Sequence, residues 1–588
     1  MEMFSDYEPP STEHYVTLQE SMMKGLRELY LAELLCDVTL VTDVKRFKCH
    51  RIVLASVSPY FQAMFTSTLQ ESKSGEVFLL DISSTTIESV LQFIYSGEIT
   101  LGLDSAKELF VVSCRLQIPS LQDQCSSFLI KALNSENCLW MYKMAHGHNN
   151  KSLLEATLRY ISCHITSVSE ADDFLHLHLT DLTKILSADS LMVPSEHFVY
   201  QLACRWWELN RSHHACFPEE LLRVIRLPLM SPQELSEVGE YIDWQGHMKH
   251  TKGLELRQGM FEERIVCMDL RAREDLQLNV EDFQLDSYDP VSGVWEKIPS
   301  LKSLMCPGCL TVGHCLYVTG GIHQDDSFSS TLHVYDSISN DWKQLPSMGE
   351  SRAMHGFLAH NRKLYAVGGS NVKGIIDSVE YYSIDDNYWV TLSNLPLPLC
   401  RFAFSQINDK HYVIGGETNG RDCVEEHQGF LIYNTITDVW SLFSLNVVCS
   451  SAGAVASDNK IFVIGGWTNS EKSTSCMIAT SRCFCMDHLG RLCSTCPVPS
   501  LPVGLASAGV VRWKQRIYVL GGENQRKFSN RIYYWTPGAS EWTLCNEKLP
   551  VPYQGVSDFG CVTLKVPRKC LHSLIPGRKR MGGQLASS

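Results

Sequence analysis

The chain is 588 residues long, with 44% hydrophobic and 20% charged residues and a formal net charge of −14. That length predicts about three or four domains, and the acidic balance excludes a general nucleic-acid binder held by a basic field. No stretch approaches the ~18 apolar residues of a membrane span, and the opening MEMFSDYEPPSTEH lacks the apolar core of a secretory leader. The 23 scattered cysteines therefore read as reduced thiols of cytosol or nucleus, most of them small buried apolar residues. Composition shifts along the chain: 28 of the 37 glycines and 8 of the 12 tryptophans follow Arg264, so the two ends are built differently.

Residues 15–34 place Leu18, Met22, Leu26, Leu29 and Tyr30 at helical spacing. Two short strands follow, Val38–Val41 and Arg46–Cys49, and then a further helical pattern. In this setting Asp37, His50, Arg51, Leu54, Ser58, Tyr60 and Phe61 resemble the BTB domain, an α+β interaction fold. The resemblance implies that Asp37 and His50 are structural, that Leu18, Met22, Leu26 and Leu29 lie in a homodimer interface, and that the domain docks on cullin-3. The triplet Leu69-Gln70-Glu71 matches the family's hydrophobic-x-Glu docking motif, with Phe61 assigned to the same surface. Physically, an apolar anchor enters a partner groove beside a hydrogen-bond acceptor. The plainer alternative is a surface loop that merely ends a helix.

From Asn134 the text is helical for about 130 residues, through NSENCLWMYKMA, MVPSEHFVYQLACRWWELN and FPEELLRVIRLPL. These runs resemble the all-α BACK domain, although His164-Ile165 stands where many relatives carry Asn-Phe. The histidine pairs His146/His148, His176/His178 and His213/His214 read as packing or solvated side chains, because residues two apart point to different helix faces.

The last part is a repeat. Five segments end in a glycine pair: Gly320-Gly321, Gly368-Gly369, Gly415-Gly416, Gly465-Gly466 and Gly521-Gly522, each with an aromatic three places before. In the same phase an aromatic precedes a tryptophan by seven places, at Trp295, Trp342, Trp389, Trp440 and Trp542. Spacings of 47, 47 and 51, then 102, mark one unit that has lost its tryptophan. Six units of about 50 residues, with four short strands each, resemble the Kelch repeat, an all-β six-bladed propeller. The resemblance implies that the final run FGCVTLKV returns to complete the first blade.

The whole chain thus resembles a BTB-BACK-Kelch (Kelch-like) protein. It divides into a BTB domain (15–131), a BACK domain (132–262), the propeller (263–567) and a basic tail (568–588). What the resemblance implies is a non-catalytic adaptor without cofactor or metal. It would recruit a protein substrate through the propeller to a cullin-3 ubiquitin ligase, in the cytoplasm with nuclear presence open. A non-ligase or actin-associated scaffold is the alternative. Substrate contacts are expected on loops after the glycine pairs and on the turns that lead into each blade, where Arg352 and Arg401 suit an acidic segment or a structural bond to a neighbouring blade. Cys483, Cys485, Cys493 and Cys496 have zinc-like spacing, but alternating cysteines on a strand usually pack.

Overall fold

The computed structural model describes residues 13–66, 75–239, 255–268, 282–302, 304–420, 424–444, 449–470, 473–493, 496–525, 527–551, 556–572 and 574. The chain divides into two compact units, Met1–Gly259 and Met260–Ser588.

In the first unit, Val38–Val41 is the middle strand of a small sheet. It pairs antiparallel with Arg46–Cys49 and parallel with Glu76–Phe78. Helices Ser84–Ser96, Leu103–Arg115 and Pro119–Lys131 bury Val90, Leu91, Leu109, Phe110, Leu121 and Leu129 in one core with Leu40 and Leu54. His50 holds the segment before the sheet. Its Nε2 meets the Leu34 carbonyl at 2.8 Å, which only a donor can do, so Nδ1 accepts from the Tyr95 hydroxyl at 2.9 Å. Asp37 accepts the Arg51 backbone N–H at 2.7 Å, at the start of the helix Arg51–Val57. Both residues are structural.

Helices continue from Cys138–Gly147 through Glu196–Leu209 to Pro232–Gly239. A buried ion pair ties their loops together. Arg257 and Glu196 are fully buried, and Arg257 donates to both Glu196 oxygens and to the carbonyls of Leu186, Ala188 and Val224. All five guanidinium hydrogens are used, as burial of that charge requires.

The second unit is a ring of six sheets. The inner strands of the second to sixth blades are Gly308–Val312, Gly356–His360, Ala403–Ile407, Gly453–Ser457 and Gly509–Trp513. The inner strand of the first blade is Gly560–Pro567, which pairs antiparallel with Phe261–Met268. These inner strands touch in cyclic order, first blade to second and sixth blade back to first, so the ring closes. Against the four strands expected of every unit, the fifth blade has three among the described residues, with a single bridge from Met486 to Leu492 in place of a fourth; this is the unit without its tryptophan.

The glycine pairs are the seams between blades. Both residues have positive φ in all five pairs. The second glycine donates its N–H to a carbonyl of the turn leading into the next blade: Arg352, Leu399, Cys449, Leu505 and Val556, at 2.8–3.0 Å. A Cβ on the first glycine would meet that same carbonyl at 1.9–2.8 Å. The tryptophans form a second seam. The indole N–H groups of Trp342, Trp389, Trp440 and Trp542 donate to the carbonyls of Pro299, Pro346, Ser393 and Pro499, each in the preceding blade's outer strand or in the segment that follows that blade.

Candidate functional site

One end of the propeller gathers the glycine-pair loops and the turns that lead into the inner strands. Cys306, Met354, Arg401, Ser451, Ser507 and Asp558 occupy the same place in six successive turns, and all six have left-handed backbones with φ between 48° and 58°. A non-glycine residue there costs about 1–2 kcal/mol, so six together are held by their surroundings. The restraint is visible. The N–H of Met354 donates to the Cys306 carbonyl, Arg401 to Met354, Ser451 to Arg401, Ser507 to Ser451 and Asp558 to Ser507, at 2.7–3.2 Å. This hydrogen-bonded relay runs around the mouth of the channel that the inner strands line.

Arg401 dominates the mouth. It is partly exposed, its Nε lies 3.2 Å from the Met354 sulfur, and its guanidinium stands 3.9 Å from Glu417. Burial works against its charge, yet Asp558, on the diametrically opposite turn, and then Glu417 push its pKa up. Burial raises the pKa of Glu417, with Asp558 adding to it against Arg401. Burial likewise raises Glu426, whose Oε1 accepts from Ser450. Among the described residues of the relay, Arg401 is thus a cation set beside the carboxylates of Glu417 and Asp558.

Arg352 does not share this role. It is fully buried and donates to the Gly368 and Ser378 carbonyls, the Ser378 hydroxyl and Glu380. Its expected substrate contact is thus corrected: it locks its own blade, and burial lowers its pKa. Four of the expected loops are also more than loops. Short two-stranded ribbons follow the glycine pairs, Ser370–Asn371 with Gly374–Ile375, Glu417–Asn419 with Val424–Glu426, Trp467–Ser470 with Ser473–Ala479 and Glu523–Asn524 with Lys527–Phe528. Glu425 and Glu426 lie on one of these ribbons.

The four cysteines with zinc-like spacing join an apolar cluster with Phe462, Trp535 and Trp542. Burial pushes the Cys485 thiol up to about 12, and the Cys493 N–H donates to the Cys485 carbonyl. They pack.

On the first unit, Leu69, Gln70 and Glu71 lie outside the described residues. Phe61, assigned to the cullin surface, is instead 1% exposed in the domain core against Phe65, because its place on the helix Pro59–Thr66 faces inward. On the helix Glu13–Leu31, Met22 is exposed and Leu29 half-buried, whereas Leu26 packs on the domain's own core, and the side chain of Leu18 is outside the described set. The same region exposes Leu31, Leu34 and Leu35, three apolar residues that helical periodicity alone did not single out.

Residues 26–133 match the BTB/POZ domain, 138–240 the BTB And C-terminal Kelch domain, 279–466 the KLHDC2/KLHL20/DRC7 Kelch-repeats domain and 504–548 the Kelch motif. Kelch repeat and BTB domain-containing protein 8 of Xenopus tropicalis is 30% identical over 458 residues, 71% of this chain and 71% of its own length. The chain belongs to the BTB-BACK-Kelch family. Its likeness to other BTB-BACK-Kelch proteins extends further at lower identity. The Danio rerio protein of the same name is 27% identical over 594 residues, covering 94% of this chain and 95% of its own. Kelch-like protein 26 of Danio rerio is 26% identical over 536 residues, 86% of each. The matched BTB, BACK and Kelch domains are interaction modules, and none is a catalytic domain.

Proposed function

We propose that this protein is the substrate-recognition adaptor of a cullin-3 ubiquitin ligase. A homodimer would hold a target protein at the propeller mouth and bring its lysines near a ubiquitin-charged partner. The observation that carries the reading is the pairing, in one chain, of a BTB domain with exposed apolar residues and a propeller whose rigid mouth presents Arg401. The adaptor supplies effective concentration rather than covalent chemistry, and a dimer with two propellers adds avidity. Cytoplasm or nucleus suits the many unpaired cysteines among the described residues.

The test is capture of cullin-3 by the full-length chain. Wild type should bind, and Leu69→Ala/Glu71→Ala should weaken capture by at least about tenfold, the loss expected of a central apolar anchor with its acceptor. Equal binding by the double variant would refute the docking assignment. Failure of wild type itself would favour the scaffold reading.

A further inference from the structure

The end of the propeller opposite the glycine-pair loops carries a cluster that the adaptor reading leaves unused. In the second blade, the turn between the two innermost strands ends in His314, the second strand begins at Cys315, and the third strand ends at Asp336. Cys315 and Asp336 are direct cross-strand partners. One ligand atom from each of His314, Cys315 and Asp336 lies within 4.8 Å of the other two, with His314 Nε2 3.5 Å from Asp336 Oδ1. We propose that these three side chains bind a divalent zinc-like cation.

The geometry fits such an ion. Zinc sits about 2.0–2.3 Å from nitrogen, oxygen and sulfur ligands in tetrahedral array, so its ligand atoms stand about 3–4 Å apart. The observed cluster reaches that spacing with a small rotation of side chains, and water completes the fourth position. A mixed imidazole, thiolate and carboxylate set suits zinc better than a hard cation such as magnesium. The donors are also already oriented. The His314 ring stacks on Phe261 at 5.8 Å, and the His314 carbonyl accepts the Ser337 N–H. Asp336 accepts the Ile338 N–H through Oδ1 and the Ser339 hydroxyl through Oδ2, outer bonds of the kind that hold a ligating carboxylate in place.

The fold does not require these residues. The structurally equivalent partner of Cys315 in the third, fourth and fifth blades is Lys363, Lys410 or Lys460, opposite Ser383, Asn434 or Asp487. Arg516 begins the same strand in the sixth blade. Only the second of these blades exchanges the cation for a thiol and sets a histidine before it. Burial and Asp336 push the free Cys315 thiol up to about 11, with Lys343 acting the other way. Metal binding therefore releases the thiol proton to solvent as the sulfur–metal bond forms, and affinity falls as pH is lowered.

The experiment uses the full-length chain stripped by a chelator and titrated with Co2+, which reports thiolate ligation by a near-ultraviolet charge-transfer band. Wild type should take up one equivalent more than Cys315→Lys, and Zn2+ should bleach the corresponding band. Cys315→Lys installs the residue that sister blades carry, so an unchanged circular dichroism spectrum separates ligand loss from misfolding. Cys315→Ser should lose the same equivalent, and His314→Ala should weaken that site at least about tenfold. Identical stoichiometry and an identical near-ultraviolet band in wild type and both Cys315 variants would overturn the proposal, whatever the other cysteines bind.

Discussion

The glycine seams allow a test in which two substitutions share one backbone strain and differ in one contact. Gly415 has φ +65°, and a Cβ there would lie 1.9 Å from the Cys449 carbonyl oxygen of the next blade's lead-in turn. Gly313 has φ +64°, and nothing lies within 4 Å of its Cβ position. Alanine at either site adopts the left-handed region at about 1–2 kcal/mol. The gain from a less flexible unfolded chain is common to both and cancels in the comparison. Only Gly415→Ala also forces a methyl group into backbone, and overpacking of that kind costs about 1–3 kcal/mol more. The expected losses are about 1–2 kcal/mol for Gly313→Ala and about 2–5 kcal/mol for Gly415→Ala. Urea unfolding of the full chain, followed by tryptophan fluorescence, measures the difference, because most of the tryptophans lie after Arg264. Equal losses in the two variants would show that the pair is needed for its dihedral alone and that the seam argument is wrong.

Two further perturbations probe buried charge. Glu196→Ala leaves Arg257 buried with no carboxylate, and should destabilise the helical unit by roughly 3–5 kcal/mol; a thermal midpoint within a degree of wild type would refute this. His355 and His411, 5% and 0% exposed, have pKa values lowered by burial to about 3, with Arg352 and His360 respectively adding to the effect. Because the unfolded chain takes up these protons first, propeller stability should fall as pH drops from about 6.5 toward 3, by about 2 kcal/mol per histidine at pH 5. His411→Asn should flatten that pH slope by about one proton in denaturant titrations, and an unchanged slope would refute the assignment.

The features legible in sequence are those where a seam tolerates only one kind of residue. Gly415 cannot carry a side chain beside Cys449, and Trp440 must reach the Ser393 carbonyl, so both recur in phase. The reduced outer edge of the fifth blade was not legible: the lost tryptophan is visible, but four strands are expected there as in every unit, and the hairpin shrinks to the Met486–Leu492 bridge. Burial of individual side chains was less readable. Arg352 and Arg401 hold similar places before their blades, but a step of two residues puts Arg352 into a polar lock and leaves Arg401 at the mouth. Phe61 follows the same logic: helical periodicity marks it as apolar without saying whether its face meets core or partner. The left-handed relay left no local mark, since Met354, Arg401 and Cys306 have no preference for that conformation and adopt it only because the ring imposes it.

The strand that closes the ring has a consequence for how the protein comes into being. Gly560–Pro567 pairs with Phe261–Met268, so the first blade waits for residues made some three hundred positions later. During synthesis the helical unit can fold while five nascent blades still lack their clasp, with hydrophobic edges open to chaperones and proteases. A nonsense or frameshift lesion just upstream of Gly560 would therefore remove little mass but also the clasp of the ring, leaving the first unit beside an unclosed propeller.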